Sequence, residues 1–329
     1  MKNALIMLTA AVFALAGLSA PVARADDNNL IIATATTGGT YYPVGVAIST
    51  LVNIKLAGSH KVMATAINSA GSSENVQMLK NSECDMAILQ ALSGLNAYNG
   101  TGAYEGKSIQ HFRAMTMLWE DVEHYVILNK HAKTGTVSDL HNMGGTFSIG
   151  KRGSGTEESG RTILGALGID PEADMTLEYL GYTPSAQAMM DGRISGANIP
   201  GGPPVAAITK LYARMGAEKV TVLNFSDDQL AAIRQNYPIW NRFVIKANTY
   251  TGQDADINTI SQPNFLAGRP DLPDDRVYLI IKTIYENLPF LQNIHKATRA
   301  MSLEKAITGL PVPLHPGAEK YYREVGIVK

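Results

Sequence analysis

The chain has 329 residues, of which 45% are hydrophobic and 17% are charged. This length is enough for two lobes of ordinary domain size, and the composition is typical of a folded globular protein rather than a disordered or low-complexity chain. Basic and acidic residues nearly balance, at 28 and 29. This balance argues against a general nucleic-acid-binding surface, so we expect no nucleic-acid partner.

The first 25 residues differ from the rest of the chain. Lys2 gives a positively charged start, and Ala4–Leu18 is an apolar run too short for a comfortable transmembrane helix. Ala23-Arg24-Ala25 places small residues at the two positions that define a cleavage site. We therefore predict that residues 1–25 are a signal peptide cleaved near Ala25 and that the mature protein is periplasmic. An uncleaved membrane anchor is the alternative.

The first predicted junction after this segment is a strand, a small-residue loop and a helix. Ile31–Ala35 is short and apolar, like a buried strand, and Thr36–Thr40 is rich in glycine and hydroxyl groups. Pro43 then suits a first helical turn. Gly38 and Gly39 permit a close approach to the main chain. Such a junction directs free N–H groups at one point and suits an anion, although a tight turn is the alternative.

Two more junctions of this kind follow, at residues 68–79 (NSAGSSENVQML) and 150–164 (GKRGSGTEESGRTIL). Apolar runs at 62–67 and 85–89 complete a β-α-β-α-β order, which is typical of a parallel sheet. Gln90 stands just past the third of these strands, where α/β proteins place ligand contacts. Three such junctions in one chain predict strand ends that converge on one crevice.

The remaining pattern alternates between short apolar runs and helical spacing. Residues 94–106, rich in glycine, tyrosine and asparagine, are expected to form an irregular surface segment. Further strands are predicted at 125–129, 146–149, 176–180, 194–199, 220–223 and 240–246, and further helical segments at 137–140, 157–167, 185–190, 206–212, 228–235, 277–287 and 303–307.

The sequence shows no catalytic or metal-binding motif. GKRGSGTE lacks the Lys-Ser/Thr ending of a nucleotide phosphate loop, and no G-x-S-x-G elbow occurs. None of the seven histidines forms the helical pair of zinc proteases. We expect no catalytic residue, no metal and no cofactor. An enzyme that uses Ser72 or Ser154 as nucleophile is an alternative, and it would require a histidine within reach.

Several charged and aromatic side chains have two interpretations. Lys151 and Arg152 could provide charge against a carboxylate, or could be solvated surface cations. Tyr41 could wall the crevice, or pack against a neighbouring lobe. Glu74 lies in a predicted first helical turn, where an acidic residue stabilises the helix with or without a ligand.

Six segments together resemble the solute receptors of TAXI-type TRAP transporters, the TRAP-associated extracytoplasmic immunogenic proteins. They are TGGTYYPVG, SAGSSENVQML, ECDMAILQ, GKRGSGTE, MMDGRISGA and PLHPGAEKYYREVG. The resemblance extends from about Leu30 to the C-terminus. It implies an α/β fold, the type II periplasmic-binding-protein-like fold, with two lobes, a central mixed sheet in each lobe and two hinge crossings.

The resemblance also implies the domain organisation. Residues 26–121 and 247–329 would form lobe 1, and residues 122–246 would form lobe 2. The crossings would lie near Trp119–Leu128 and Trp240–Asn248. The sequence departs from the family pattern at Gly192–Ala197 and in the PGGPP turn at 200–204.

A ligand would be held between the lobes. The residues implied as ligand contacts are Thr37, Gly38, Gly39, Thr40, Tyr41, Ser72, Glu74, Asn75, Gln90, Ser154, Gly155, Thr156, Asn198 and Pro200. To these we add Arg152, the candidate counter-charge chosen from the sequence itself. Because ligands of the family include glutamate and 2-oxoglutarate, we expect a small anionic metabolite, an organic acid or an amino acid. The expected partner is a TRAP membrane permease, and a sensor kinase is the alternative.

Overall fold

A computed structural model describes residues 28–329, so the predicted signal peptide lies outside the described residues. The strands are β1 Asn29–Ala33, β2 Met63–Ile67, β3 Met86–Gln90, β4 Arg113–Val122, β5 Tyr125–Leu128, β6 Thr146–Ser148, β7 Thr176–Glu178, β8 Gly196–Asn198, β9 Val220–Val222, β10 Asn241–Ile245 and β11 Ile257–Gly268. The helices are α1 Tyr41–His60, α2 Ser72–Lys80, α3 Ala91–Asn99, α4 Gly155–Ala166, α5 Pro171–Asp174, α6 Tyr182–Met190, α7 Ala206–Met215, α8 Asp227–Asn236, α9 Asp274–Glu286, α10 Leu288–Ile294 and α11 Pro316–Glu324.

The first sheet has the order β10-β11-β3-β1-β2, with β4 also paired to β11. Strand β1 pairs in parallel with β2 and β3, in the register Ile32 to Ala66 and Ile32 to Met86. Strand β11 is antiparallel to β3, β4 and β10. Since α1 and α2 connect the three parallel strands, the predicted β-α-β-α-β order is confirmed.

The second sheet has the order β7-β6-β8-β5-β9. Strand β6 pairs in parallel with β7 and β8, whereas β5 is antiparallel to β8 and β9. Each sheet is therefore mixed and covered by its own helices. We use "first lobe" for the elements around the first sheet and "second lobe" for those around the second. The residue boundaries of the two lobes stay a prediction.

Each lobe has its own hydrophobic core. In the first lobe, Ile48 and Leu51 of α1 pack with Ile280 of α9 in a buried cluster. In the second lobe, Ile208 and Leu211 of α7 belong to another buried cluster. Burial of these large apolar side chains provides the main stabilising term for each lobe. Among residues 28–329, no helix has both the length and the apolar character needed to cross a membrane.

Two strands extend from one core to the other. The first crossing is the passage from β4 into β5, within the predicted stretch 119–128. The second is β11, whose Ile257 packs in the second-lobe core and whose Leu266 packs in the first-lobe core. This strand begins after the predicted stretch Trp240–Asn248 ends. Strand β10 occupies that stretch, pairs back onto β11 and directs Ile245 into the second-lobe core.

The segment expected to be irregular is in part a buried helix. Helix α3 occupies Ala91–Asn99 and ends at Gly100, which has a left-handed backbone conformation. Its interior Gly94 suggested a loop, but a Cβ atom there would lie 2.7 Å from the Phe265 ring. The glycine therefore allows the helix to pack closely against β11.

Candidate functional site

A cavity lies between the two lobes, with about 440 Å³ of empty space that is partly open to solvent. Both lobes line it. The lining residues are Ala35, Thr36, Gly39, Thr40, Tyr41, Ala70, Gly71, Ser72, Gln90, Asp121, Lys151, Ser154, Gly155, Thr156, Gly181, Tyr182 and Pro200.

Four helices begin at this cavity. Tyr41, Ser72, Gly155 and Tyr182 are the first residues of α1, α2, α4 and α6, and all four line it. The residue before each of them, the helix N-cap, lines it as well: Thr40, Gly71, Ser154 and Gly181.

The N-termini of these helices bring partial positive charge to the cavity from both lobes. The first N–H groups of a helix have no partner within the helix and carry a partial positive charge. Each of the four helices follows a strand of a parallel pair, namely β1, β2, β6 and β7. The carboxyl ends of the parallel strands in each lobe thus face the same gap, and their helix starts provide several donors for an anionic group.

Nine of the predicted contact residues line the cavity: Gly39, Thr40, Tyr41, Ser72, Gln90, Ser154, Gly155, Thr156 and Pro200. The three glycine-containing loops predicted from the sequence to converge therefore meet at this cavity. A Cβ atom on Gly71 would lie 3.4 Å from the Ser154 side chain, and the backbone N–H of Glu74 donates to the carbonyl of Gly153, so the loops of the two lobes are in contact. Whether these residues bind a ligand stays a prediction.

Four other predicted residues lie outside the cavity, beside its loops. The carbonyl of Thr37 accepts a hydrogen bond from the Thr183 hydroxyl, and the carbonyl of Gly38 accepts one from the backbone of Ala207. The Glu74 carboxylate accepts from the backbone N–H of Ala70. The Asn75 amide donates to the carbonyls of Thr34 and Ile88, which fixes the loop before α2.

The remaining two predicted contacts are also outside the lining. Arg152 stacks its guanidinium on the ring of Tyr179, 3.5 Å from the ring centre, and does not line the cavity. Asn198 is buried in β8, where its side chain lies beside the Glu123 carboxyl. Of the two neighbouring cations considered from the sequence, Lys151 is the one that lines the cavity.

A hydrogen-bonded network supports the first-lobe wall. The Tyr41 hydroxyl donates to the Asn264 side chain of β11. The Ser72 hydroxyl accepts from the backbone N–H of Gln90, and the Gln90 side-chain amide donates to the Asp121 carboxylate at 2.5 Å. These bonds join α1, α2 and both crossing strands. They hold the polar groups of the wall in fixed positions.

Two buried carboxyl groups lie at or near the site, Asp121 in the cavity lining and Glu123 outside it, and sequence reasoning missed both. Asp121 is 2% exposed and Glu123 is fully buried. Burial raises the pKa of Asp121 to about 6 despite the hydrogen bond from Gln90, and burial together with the nearby Asp121 raises the pKa of Glu123 well above its usual range. The sequence signal was the acidic run of residues 120–123 in the predicted first crossing.

Sequence reasoning also missed the fourth helix start. Gly181, Tyr182 and Thr183 follow β7 and precede Pro184, much as Gly39, Thr40 and Tyr41 precede Pro43. The Tyr182 hydroxyl pairs with that of Thr156 at 2.8 Å across the second-lobe wall. The recurrence of glycine, hydroxyl and proline after a strand was the signal that could have identified it.

The serine hydroxyls of the site have structural partners. The Ser154 hydroxyl accepts a hydrogen bond from the backbone N–H of Glu157 as the N-cap of α4, and the Ser72 hydroxyl accepts one from the backbone N–H of Gln90. Within residues 28–329, neither hydroxyl hydrogen-bonds to a histidine, and buried His124 instead pairs with Val122 and Tyr250. The described residues also hold no group of three His, Cys, Asp or Glu side chains that could bind a metal ion.

Solved structures share this fold. A protein of Bordetella bronchiseptica RB50 matches with a TM-score of 0.52 and 12% identity, over 92% of this chain and 90% of that one. PhnD1 from Prochlorococcus marinus (MIT 9301), in complex with methylphosphonate, matches with a TM-score of 0.51 and 12% identity, over 92% and 99%. XAC2383 from Xanthomonas citri, bound to ATP, matches with a TM-score of 0.50 and 9% identity, over 91% and 95%.

At these identities the likeness concerns the fold. The predicted class, a periplasmic-binding-protein-like α/β fold of two lobes with a mixed sheet in each, is confirmed. The narrower TAXI-type resemblance stays a prediction. The family model described as NMT1-like matches residues 32–326, and the chain therefore belongs to the NMT1-like family.

Proposed function

We propose that this protein is an extracytoplasmic solute-binding protein that captures a small carboxylate in the cavity between its lobes. The observation that carries the proposal is the meeting of four helix N-termini at one cavity, with Lys151 beside them. Helix starts favour a negatively charged group, and a cleft between two lobes can enclose it. The PhnD1 structure of similar fold holds methylphosphonate, a small anion, which supports a ligand of this charge.

The proposed contacts come from both lobes. Gly39, Thr40, Tyr41, Ser72 and Gln90 would hold the ligand on the first lobe. Lys151, Ser154, Gly155, Thr156 and Tyr182 would cover it from the second. The cavity has about 440 Å³ of empty space, part of it open to solvent, which suits a small metabolite rather than a polymer.

Capture would proceed by closure of the two lobes. The ligand docks on the first lobe while the lobes are apart, and the start of α4 then moves over it. Contacts made only in the closed form bias this equilibrium. The backbone N–H of Glu74 donates to the carbonyl of Gly153 at 2.9 Å, and the Ser73 hydroxyl donates to Glu158 at 3.0 Å, both across the cleft.

The closed form would deliver its cargo to a membrane transporter. A TRAP-type permease is the partner that the family resemblance implies, and the predicted signal peptide would place the protein in the periplasm, where such a receptor works. Pull-down of the mature protein by a detergent-solubilised TRAP permease, with and without ligand, would test this part of the proposal.

The ligand class is tested by a thermal-stability screen of the mature protein. The panel holds monocarboxylic, dicarboxylic, 2-oxo and amino acids, with neutral sugars as controls and with phosphate and methylphosphonate as non-carboxylate anions. A ligand at about a hundred times its Kd should add about 2.7 kcal/mol to the free energy of unfolding. Stabilisation by carboxylates supports the proposal, and stabilisation by phosphate or methylphosphonate alone would overturn it.

A further inference from the structure

One group in the cavity wall has no role in the capture of a simple anion. Asp121 lines the cavity from β4, on the crossing between the lobes, and is almost fully buried. A second carboxyl group, that of Glu123, lies two residues further along the chain and is also buried. Of the two, Asp121 alone lines the cavity, and its carboxylate would repel a dianionic ligand. The wall at Asp121 therefore differs in charge from the walls made by the helix starts.

The Asp121 carboxylate has no cationic partner. The neutral side-chain amides of Gln90 and Asn264 hydrogen-bond to it, and within residues 28–329 it forms no ion pair with a lysine or arginine. Lys151 also lines the cavity, but its side chain is exposed. A buried carboxylate without a counter-charge is costly, so a cation brought by the ligand would stabilise it.

A second acceptor stands beside this carboxylate. The side-chain oxygen of Gln90 is buried and has no hydrogen-bond partner, although the residue is only 3% exposed and lines the cavity. Because the Gln90 amide nitrogen donates to Asp121, the two side chains are fixed relative to each other. Two acceptors in a cavity that several helix starts also line match a ligand that carries both signs of charge.

We infer that the ligand is a zwitterionic α-amino acid, whose ammonium group donates to Asp121 and Gln90 while its carboxylate faces the helix N-termini. This inference rests on the proposed function and narrows it. A plain dicarboxylic or 2-oxo acid lacks the donor, so it would leave the Gln90 oxygen without a hydrogen bond and the Asp121 carboxylate without a counter-charge, and it would add negative charge beside that carboxylate. A site built around a ligand N–H group discriminates strongly against the analogue that lacks it.

The test compares amino acids with the 2-oxo acids of the same carbon skeleton. Isothermal titration calorimetry of the mature protein at pH 7.5 would use glutamate against 2-oxoglutarate and alanine against pyruvate. We expect the amino acid that binds to do so at least about tenfold more tightly than its 2-oxo partner. This comparison needs no variant, so it holds whether or not a substituted protein folds.

A pair of variants assigns the preference to Asp121. Asp121→Asn keeps the shape and can still accept from Gln90, but it removes the negative charge. We expect the ratio of the two dissociation constants to fall to near one. Glu120→Gln is the matched control, because Glu120 is the neighbouring carboxyl, hydrogen-bonds Ser261 and does not line the cavity, so the ratio should be unchanged.

The outcomes separate this inference from the proposed function. If the 2-oxo acid binds as tightly as the amino acid, or if Asp121→Asn leaves the preference intact, the ammonium assignment is overturned while carboxylate capture stands. If no amino acid and no other carboxylate binds, the proposed function fails and the inference fails with it.

Discussion

Glu158 on helix α4 of the second lobe accepts a hydrogen bond from the Ser93 hydroxyl on helix α3 of the first lobe, at 2.6 Å. The same carboxylate accepts from the hydroxyl of Ser73 and from the side-chain amide of Asn96. One acidic side chain thus joins two first-lobe helices to the second lobe. It lies outside the cavity lining, so it can stabilise the closed form without contact to a ligand.

Replacement of Glu158 by alanine should favour the open form. The substitution removes three interlobe hydrogen bonds to a charged acceptor, each of a kind that contributes about 1.5–3 kcal/mol when buried. Part of this is recovered because the donors are hydrated once the lobes separate, so we expect ligand affinity to fall by about tenfold. Small-angle X-ray scattering should show a larger radius of gyration without ligand.

Glu172→Ala is the control for this experiment. Glu172 also carries a carboxylate on the second lobe, but it pairs with Arg161 of the same lobe and is 57% exposed. Its loss should leave affinity and radius of gyration unchanged. Equal radii for the Glu158 variant and the wild type would show that this carboxylate does not hold the lobes together.

The stability of the ligand-free protein should depend on pH through Asp121. Burial raises the pKa of this carboxyl from 3.8 to about 6, so the folded protein binds its proton more tightly than the unfolded chain. The stabilising contribution is therefore greatest below pH 4, declines as pH rises toward 6 and is lost above that value. The difference amounts to roughly 3 kcal/mol.

Asp121→Asn removes this titration. We expect the variant to be more stable than the wild type at pH 7.5, by up to roughly 3 kcal/mol, and the difference to shrink toward pH 4.5. Urea unfolding of both proteins at the two values measures it, and carboxyls that do not interact with Asp121 cancel in the comparison. A difference that is the same at both values would contradict the assigned pKa.

The local part of the site was predictable from sequence, and the long-range part was not. Gly39, Gly71 and Gly155 follow apolar strands and precede helices, and that pattern depends only on neighbouring residues. Asp121 is different, because its side chain faces the cavity only through the pairing of β4 with β11, in which it lies opposite Gln262. A pattern of neighbouring residues in the sequence does not indicate which residues of two distant strands lie opposite each other.

The crossing strand β11 shows the same limit. Its buried residues include Ser261, Gln262 and Asn264, and Pro263 lies between them. Polar buried residues erase the apolar alternation by which a strand is recognised, and a proline within a run argues against one. These residues are polar because they support the cavity wall, as in the bond from Tyr41 to Asn264. Because these polar residues support the site, strand β11 lacks the apolar pattern by which it could have been predicted from the sequence.

Lys151 and Arg152 should differ in their effect on binding, although they are neighbours of the same charge. Lys151 lines the cavity, and its exposed ammonium would interact with a ligand carboxylate in partly solvated surroundings. We expect Lys151→Ala to weaken binding by about threefold to fivefold and to reduce its dependence on salt. Arg152→Ala should leave affinity within about twofold and lower stability by about 0.5–1 kcal/mol through loss of stacking on Tyr179. Titration calorimetry at two salt concentrations checks both, and a larger loss in the Arg152 variant would reverse the assignment.

Gly155 should be essential for closure because it lets the start of α4 touch the first lobe. A Cβ atom at this position would collide with the Gln90 side-chain oxygen and lie 2.9 Å from the Ser72 side chain. Gly155→Ala should therefore keep the two lobes apart and reduce affinity by at least about tenfold with little loss of stability.

Gly165→Ala is the matched control in the same helix, since a Cβ atom there meets nothing within 4 Å. It should bind normally and unfold with a free energy higher by about 0.5–1 kcal/mol, because alanine favours a helix more than glycine does. Equal affinities for the two variants would mean that the observed approach of α4 to Ser72 and Gln90 is not required for binding.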